Sequence, residues 1–533
     1  MMYADSPQAR RLKARLQARS EDLDDLILLA PTGHVQELWA ELLTPALLQF
    51  ATTHLTTNRA KLSAVTTMLP SQAFWFGAVL LASVLCALID LKVALIAANV
   101  GFGFIYLVLA VGRIVAVMNS GPTRPIRRLT IGKDALPRYT VLVAAYDEAA
   151  VMPQLICALS ALQYPADKLD IMIVLEADDT ETFAALRAVH LPDNMAVVRV
   201  PPSSPRTKPK ALNFALPLAR GEFVAVFDAE DRPEPDQLLK AVSTYHRHAQ
   251  GRGMFPADTP LGCVQAALHV PEPGPSFFSR HFRLEYMGIF DALLPALARM
   301  NLPLPLGGTS NHFFKPALLE AGGWDPYNVT EDADLGIRLS RLGYGTEMMD
   351  STTHEQAPAT FGPWVRQRAR WFKGWWQTWL VHMRSPRELL RELGLSGFVC
   401  FQLIVLGVLL SMLLHPIFLF LVLYSLPTLP IGEGFGVATS LAGLNMANLV
   451  LGYAAAAALC WAGADKRGDR GTWRSLCEIP VYWVFLFFAG VLALWDLVRR
   501  PHHWHKTPHS ADTHRVIRGS EELERVKGIE PSS

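Results

Sequence analysis

The sequence predicts an α/β domain built on a mostly parallel sheet and inserted between two groups of membrane-spanning helices. Long apolar stretches flank a central region, from about residue 120 to 395, in which apolar density falls. Within that region, short Val/Ile/Leu-rich runs alternate with helical patterns, as expected for a sheet covered on both faces. Several runs end in carboxylates. After Val224-Ala225-Val226-Phe227 come Asp228, Glu230 and Asp231, three acids within four residues. Like charges this close raise one another's pKa, so the cluster predicts a cation at this strand end.

The apolar stretches come first in the chain. Ala73 to Leu91 and Val93 to Val117 each approach or exceed the roughly 20 residues a helix needs to cross a bilayer, and the polar joint Asp90 to Lys92 makes them a hairpin. Gly397 to Leu426, Gly436 to Gly463 and Ile479 to Val498 form the second group. The 51% hydrophobic content agrees with them, and a net charge of +1 points to no nucleic-acid partner. Arg10, Arg11, Lys13, Arg15 and Arg19 precede the hairpin, and Arg124, Arg127, Arg128 and Lys133 follow it. The positive-inside rule then places both flanks, and the whole of 120–395, in the cytoplasm of a protein integral to the inner membrane. The first 70 residues contain a helical stretch, Leu23 to His54, and no early apolar core of a signal peptide. The six cysteines are scattered without metal or disulfide spacing.

In the central region Tyr139–Ala145, Leu169–Leu175, Met195–Val200 and Glu222–Phe227 read as strands, with helical patterns over Ala149–Leu162 and Lys210–Ala219. Ligands of such sheets bind at the carboxyl ends of the strands. Acids gather there: Asp147 and Glu148 after the first strand, Glu176, Asp178 and Asp179 after the second, and the DAED stretch after the fourth. One such cluster is as readily a solvated turn as a site. Three in register predict a crevice for a hard divalent cation, Mg²⁺ or Mn²⁺, shared with substrate phosphates, and Asp228 and Glu230 are its candidate ligands. Lys208 is placed to add positive charge, beside a Pro/Ser-rich loop from Pro201 to Pro209. No GxGxxG or P-loop pattern is present, which excludes those nucleotide-binding modes.

The ordered set VAAYDEA, ADD, KPKALN, DAED, GGTSNHFF, TEDADLGIRL and QRARW resembles the processive, membrane-embedded family 2 glycosyltransferases, the group of cellulose, hyaluronan and chitin synthases. The resemblance covers roughly residues 75 to 510 and implies a GT-A-type, Rossmann-like mixed sheet. It implies that Tyr146 and Glu148 line a nucleotide pocket, that Asp178 or its neighbour Asp179 holds uracil and ribose, and that Lys208 and Asp228 attend the diphosphate. Glu230 stands where the family has a second Asp, so its carboxylate sits on a longer arm. Gly307 to Asn311 resembles the start of the helix beneath the acceptor sugar. Asp332, with Glu331 beside it, takes the place of the general base. Gln367 and Arg370 are placed to contact diphosphate and acceptor, and Trp371 offers the acceptor a flat face. Locally, Thr330 before Glu331 is also a natural N-cap, and Trp375, Trp376 and Trp379 read as interfacial anchors.

What the resemblance implies is an inverting transferase that uses a nucleotide-diphosphate sugar, a UDP-sugar by preference, to elongate a β-linked glycan exported through the helices. Export or regulatory proteins are conceivable partners. Gln402, Asn445, Asn448 and Trp483 are candidate channel-lining residues, because polar groups within spans are costly unless they face a cavity or a partner. Two other readings stand beside it: a non-processive transferase acting on a lipid phosphate, and an inactive scaffold of an export complex. The domains expected are 1–70, 73–117, 120–395, 397–498 and a tail 499–533, disordered after 515. A WxKTxH pattern begins at Trp504. One conflict remains. The loop 464–477 and the residues after Val498 are both basic, yet one ordinary span between them would put them on opposite sides, so either Ile479 to Val498 lies in the interface or re-enters, or one loop breaks the charge rule. Gly397 to Leu426, with Pro416 inside, reads as one kinked span or two short ones.

Overall fold

A computed structural model describes residues 32–121, 132–256, 258–271, 274–425 and 436–503. The basic residues 10–19, Arg124, Arg127 and Arg128, the start of the 23–54 stretch, and the tail from Trp504 lie outside the described residues. The central domain is an eight-stranded sheet of β1 (Tyr139–Ala145), β2 (Leu169–Glu176), β3 (Met195–Val200), β4 (Phe223–Phe227), β5 (Arg232–Pro233), β6 (Leu261–His269), β7 (Asn311–Phe314) and β8 (Gly345–His354). The order is β3-β2-β1-β4-β7-β6-β8-β5.

The four strands expected from sequence form one half of this sheet, all parallel. Alternate residues face opposite ways, and both faces are packed. Leu142, Met172 and Val174 join Leu212 and Ala215 of the 208–215 helix on one side. Val141, Val143, Ile171 and Ile173 meet Leu155 and Leu159 of the 152–160 helix on the other. This two-sided burial is why the strands read as unbroken apolar runs. Helix Thr32–Leu42 packs beside the β3 edge, where Glu37 accepts from the Val197 backbone N–H at 2.9 Å, and Thr44–Asn58 packs on the 208–215 helix.

In the other half, β7 runs antiparallel to both β4 and β6, while β6 and β8 are parallel. Gly307 to Asn311 begins no helix. Ser310 donates to the Val226 carbonyl at 2.7 Å and the chain enters β7, because this segment is the strand that closes the sheet against β4. The 331–341 helix forms as its apolar periodicity predicts. Thr330 sits at its N-cap but makes no capping hydrogen bond. Its hydroxyl lies 3.5 Å from the Asn328 side-chain oxygen, and its side chain is pressed against Gly374.

QRARW lies in the 361–382 helix, which packs on that N-terminus. Below the contact, His382 bridges two other groups. Arg341 can only donate, so the His382 Nδ1, 3.0 Å away, accepts and Nε2–H donates to Asp334 at 3.0 Å. Burial alone would raise the Asp334 carboxyl, but Arg338 and His382 hold it below its ordinary value. Trp376 is buried, and Trp379 donates to Gln402 at 2.9 Å, so both are packing residues of this helix; Trp375 is partly exposed and lines the cavity described below.

Among the described residues, five helices are long and apolar enough to cross a membrane: Pro70–Ile89, Leu91–Asn119, Pro386–Tyr424, Thr439–Lys466 and Ile479–Arg499. The third is a single run, interrupted by Gly394 in the left-handed region and by a wide turn at 402–407.

A methyl at Gly374 would overlap the Thr330 side chain. Gly374→Ala should therefore cost about 1–3 kcal/mol of overpacking, read as a lower thermal midpoint, and Thr330→Ala in the same chain should recover part of it.

Candidate functional site

The carboxyl ends of β1 and β4 open onto a cavity of about 1290 Å³. It gathers Tyr146, Glu148, Lys208, Asp228, Glu230, Glu331, Asp332, Gln367, Arg370 and Trp371, ten of the twelve residues expected to form a site. Asp178 and Asp179 do not line it.

Each arrives for a local reason. β4 ends at Phe227, and the next turn is closed by Asp231, which is buried and accepts from the Asp228 backbone N–H at 2.7 Å and from the Thr309 hydroxyl. Asp231 is thus structural, and the turn it closes leaves Asp228 and Glu230 facing the cavity. Lys208, the first residue of the 208–215 helix, forms an ion pair with Asp228 and donates to the Gly308 carbonyl at 2.8 Å. The positive charge that the acid cluster called for is therefore supplied in part by the chain itself. Lys210, in the same KPKALN stretch, is fully buried and pairs with Glu176 at 2.7 Å.

Gly308 separates the two acid groups. A Cβ at that position would lie 3.3 Å from Asp332 Oδ2 and 4.0 Å from Asp228 Oδ2, so the missing side chain leaves room between them. The charge balance of the cavity shows in its titration. Burial, and then the neighbouring Asp332, push Glu331 up to about 7. Burial also raises Asp332. Glu230 is held well above its ordinary value by burial and then by Asp228, Glu355 and Glu148. Burial opposes the charge on Lys208, but Asp228 and Glu331 outweigh it and keep the ammonium firmly protonated.

Tyr146 lies under Arg206, whose guanidinium is 4.5 Å from the ring centroid and pairs with Asp178. Asp178 therefore reaches the cavity through Arg206. Asp179 caps the 180–187 helix, accepting from Thr182 at 3.1 Å and from the Asp147 backbone N–H at 2.6 Å. On the far wall, Gln367 Oε1 is buried without a hydrogen-bond partner, a polar atom placed for a ligand. Trp371 stacks near Tyr286, and Arg368 lies over it at 4.5 Å while pairing with Glu285. Arg206, Glu285, Tyr286, Glu355 and Arg368 also line the cavity and were not expected. Arg368 lies inside QRARW, where its charge was a legible signal. Glu285, Tyr286 and Glu355 lie in stretches with no recognisable pattern.

The donor set suits a hard cation. Among the described residues no three His, Cys, Asp or Glu side chains converge as a metal cage. Asp228 and Glu230 would supply two carboxylates, leaving water and phosphate to complete the shell, as Mg²⁺ or Mn²⁺ commonly allows. Away from these groups the cavity runs on between the apolar helices to Arg113, Ser411, His415 and Trp483. Of the four polar residues expected to line a channel, only Trp483 does. Gln402 accepts from Trp379, Asn448 donates to the Gly103 carbonyl at 3.1 Å, and Asn445 is buried. Interhelical hydrogen bonds meet the needs of Gln402 and Asn448.

Residues 137–374, from the start of β1 through QRARW, match the family described as glycosyltransferase like family 2. The chain is 26% identical over 242 residues to the probable glycosyltransferase YdaM of Bacillus subtilis, covering 45% of this chain and 55% of that protein. It is 29% identical over 253 residues to the beta-monoglucosyldiacylglycerol synthase of Trichormus variabilis, covering 46% and 50%. It is 27% identical over 258 residues to the probable glucomannan 4-beta-mannosyltransferase 7 of Oryza sativa, covering 46% and 41%. The chain thus spans about half the length of the curated relatives it matches. Among solved structures, the mannosyltransferase PcManGT of Pyrobaculum calidifontis, in complex with GDP-Man and Mn²⁺, superposes with a TM-score of 0.45 at 20% identity, covering 74% of this chain and 99% of that one. Residues 137–374 thus match a family 2 glycosyltransferase domain and fold on a GT-A-like mixed sheet.

Because Lys208 already neutralises Asp228, it competes with any cation there. Lys208→Met should tighten nucleotide-free Mn²⁺ binding by about tenfold, roughly 1.4 kcal/mol, and Asp228→Asn should weaken it; titration followed by the Mn²⁺ paramagnetic signal checks both.

Proposed function

We propose that this chain is an inverting hexosyltransferase that elongates a β-linked polysaccharide from a nucleotide-diphosphate sugar at the cytoplasmic face of the inner membrane and passes the product outward between its helices. One observation carries the reading. A single cavity joins the Lys208–Asp228 pair, the Glu331–Asp332 pair and the inner surfaces of the membrane helices. The division into 1–70, 73–117, 120–395, 397–498 and 499–533 belongs to the same reading.

In this scheme Tyr146, backed by Arg206, offers the base of the nucleotide a flat face, with Asp178 beyond it; UDP is the preferred nucleotide. Glu148 lines the same pocket. Lys208 and Arg370 bind the diphosphate and stabilise the charge that accumulates as it departs. Mg²⁺ or Mn²⁺, held by Asp228 and Glu230, would supply further neutralisation of that diphosphate. Asp332 takes the proton from the acceptor hydroxyl as it attacks the anomeric carbon, from the side opposite the leaving group, so an α-linked donor yields a β-linkage. Glu331 stands beside that base and is itself raised by the Asp332 charge. Gln367 and Trp371 orient the acceptor.

A second reading has its own support. Val108, Leu109, Val115, Leu297, Leu403 and Val408 wall the deep part of the cavity, and apolar walls suit the acyl chains of a lipid acceptor better than a hydrated glycan. A labelled nucleotide-sugar panel with linkage analysis identifies the donor. Reconstitution into sealed vesicles with the domain outside separates the two acceptors: glycan protected from added glycosidase supports elongation with export, and a single sugar on extractable lipid supports the second reading.

Asp332→Asn keeps the size of the side chain and removes the base. Donor binding should survive while transfer falls about 10²–10⁴-fold; near-normal transfer would remove Asp332 from the mechanism. The pH profile tests its surroundings. A protonated carboxyl takes no proton, so a base raised by burial must lose activity as pH falls through a value above the ordinary one for an aspartate. Burial sets that acidic limb of kcat/KM, and Glu331, held protonated up to about 7 by burial and by Asp332, adds no charge below it, so Glu331→Gln should leave the limb in place. A limb moved to lower pH would show that the Glu331 charge also raises the base.

A further inference from the structure

Both ends of the last apolar helix, Ile479–Arg499, rest on the glycosyltransferase domain, and we infer that this helix lies along the membrane surface with an exposed stripe in lipid instead of crossing the bilayer. The inference builds on the membrane placement proposed above. At the start, Glu478 accepts from Arg280 at 3.0 Å and Ile479 packs with Leu284 and Met287. One turn on, Tyr482 donates to Glu285 at 2.6 Å and accepts from Trp364 at 3.1 Å. At the end, Lys373 donates to the Arg500 carbonyl at 3.2 Å and the His503 carbonyl at 2.6 Å. Gln377 donates to the Pro501 carbonyl at 3.0 Å, and His502 to that of Tyr327 at 3.0 Å.

Twenty-one residues of helix span about 31 Å, close to the thickness of the hydrocarbon core. Were the helix to cross, its two ends would stand on opposite sides of the bilayer. Trp364 meets the start of the helix, and Lys373 and Gln377 meet the chain leaving its end. All three belong to the 361–382 helix, which carries QRARW into the cavity. One domain on one side of a membrane cannot hold both ends of a spanning helix.

The helix is two-faced. Tyr482, Ala489, Gly490, Ala493 and Asp496 are buried, with Gly490 set against Met412 and Leu413 of the third apolar helix. Val481, Phe488, Val491, Trp495 and Val498 recur at helical spacing and are exposed, Val498 to 83%. This stripe continues onto the exposed apolar surface of the 408–425 helix (Ile417, Phe420, Leu421), so lipid is the occupant it fits. At its end Arg499 lies 3.8 Å over the Trp495 ring, an aromatic and basic pairing suited to headgroups.

The placement also removes the charge conflict in the sequence. The fourth apolar helix ends on the domain: Lys466 donates to the Ser120 carbonyl at 2.9 Å and the Asp291 carbonyl at 2.5 Å, and Arg467 grips both Asp291 oxygens. The basic 467–478 loop and Arg499-Arg500 then share one side, and four helices cross instead of five.

The test is sidedness, which does not depend on activity. In the full chain with the exposed Cys86, Cys157 and Cys477 changed to Ser, single cysteines are introduced by Asp90→Cys, Arg252→Cys, Gly471→Cys and Ser520→Cys. Ser520 lies in the tail beyond the described residues. An impermeant maleimide is applied to sealed vesicles of each orientation. The expected result is labelling of positions 471 and 520 together with 252, and of position 90 from the opposite side. Labelling of 520 from the side opposite 252 means that the helix crosses, and overturns the inference. If 252, 471 and 520 all face outward in cells, the cytoplasmic placement fails while the surface helix stands. Should the variants fail to fold, fusions at the C-terminus of the natural chain give the same answer: a fluorescent protein that matures only in the cytoplasm should glow, and alkaline phosphatase there should be inactive. The reverse pattern, with the domain cytoplasmic by protease protection, overturns it.

Discussion

The ion pair of Lys208 with Asp228 is the interaction on which the site depends. It joins the first residue of a helix to the end of β4 and, through the Gly308 carbonyl, to the segment that enters β7. Without a cation at that point, Asp228, Glu230 and Glu355 would face one another across a buried space. The raised titration of Glu230 and Glu355, driven by burial and then by the acids beside them, shows how little negative charge the cavity tolerates. One lysine is enough to assemble the protein but leaves the cluster short of balance. That shortfall is the charge balance on which the proposed metal-bound donor rests.

The 361–382 helix carries the constraint from the site to the membrane. On one side it offers Gln367, Arg370 and Trp371 to the cavity. Gly374 lets it approach Thr330, and so fixes where Glu331 and Asp332 begin their own helix. Further along, Lys373 and Gln377 take up backbone carbonyls of the returning chain. Lys373 is held down to about 8 by burial and by Arg370, which the neighbouring Asp496 only partly offsets. Donor chemistry and membrane packing therefore share one rigid element. A shift of this helix by a fraction of an ångström would move Trp371 and the start of the Asp332 helix together.

Half of the sheet was legible in the sequence, and the reason is its packing. β1 to β4 are apolar on both faces, and their expected limits agree with the structure to within a residue. β6 and β8 were not legible. Leu261–His269 is fully buried yet includes Gly262, Gln265 and His269, and Gly345–His354 is largely polar. Their polar groups are satisfied inside the fold: Gln265 donates to the Thr309 carbonyl at 2.9 Å, and Ser310 to Thr353 at 2.6 Å. A search for apolar runs does not see strands whose cohesion comes from buried hydrogen bonds. In the site, motif residues were found because their charges stand out against short apolar runs. Glu285 and Tyr286 were missed because they belong to an ordinary amphipathic stretch, and only the fold turns them towards Arg368 and Trp371.

The same reasoning explains why span counting alone does not decide the last apolar helix. Hydropathy measures whether a segment can enter lipid, and Ile479–Arg499 can by that criterion. It carries no information about what holds the segment's two ends. Here Arg280 and Lys373, both donors from residues 137–374, fix those ends through an ion pair and two carbonyls. Breaking these contacts would take from the buried Lys373 both carbonyls to which it donates, leaving a polar group short of acceptors. Lipid preference sets which face of the helix is exposed, and the hydrogen-bonded ends set its direction.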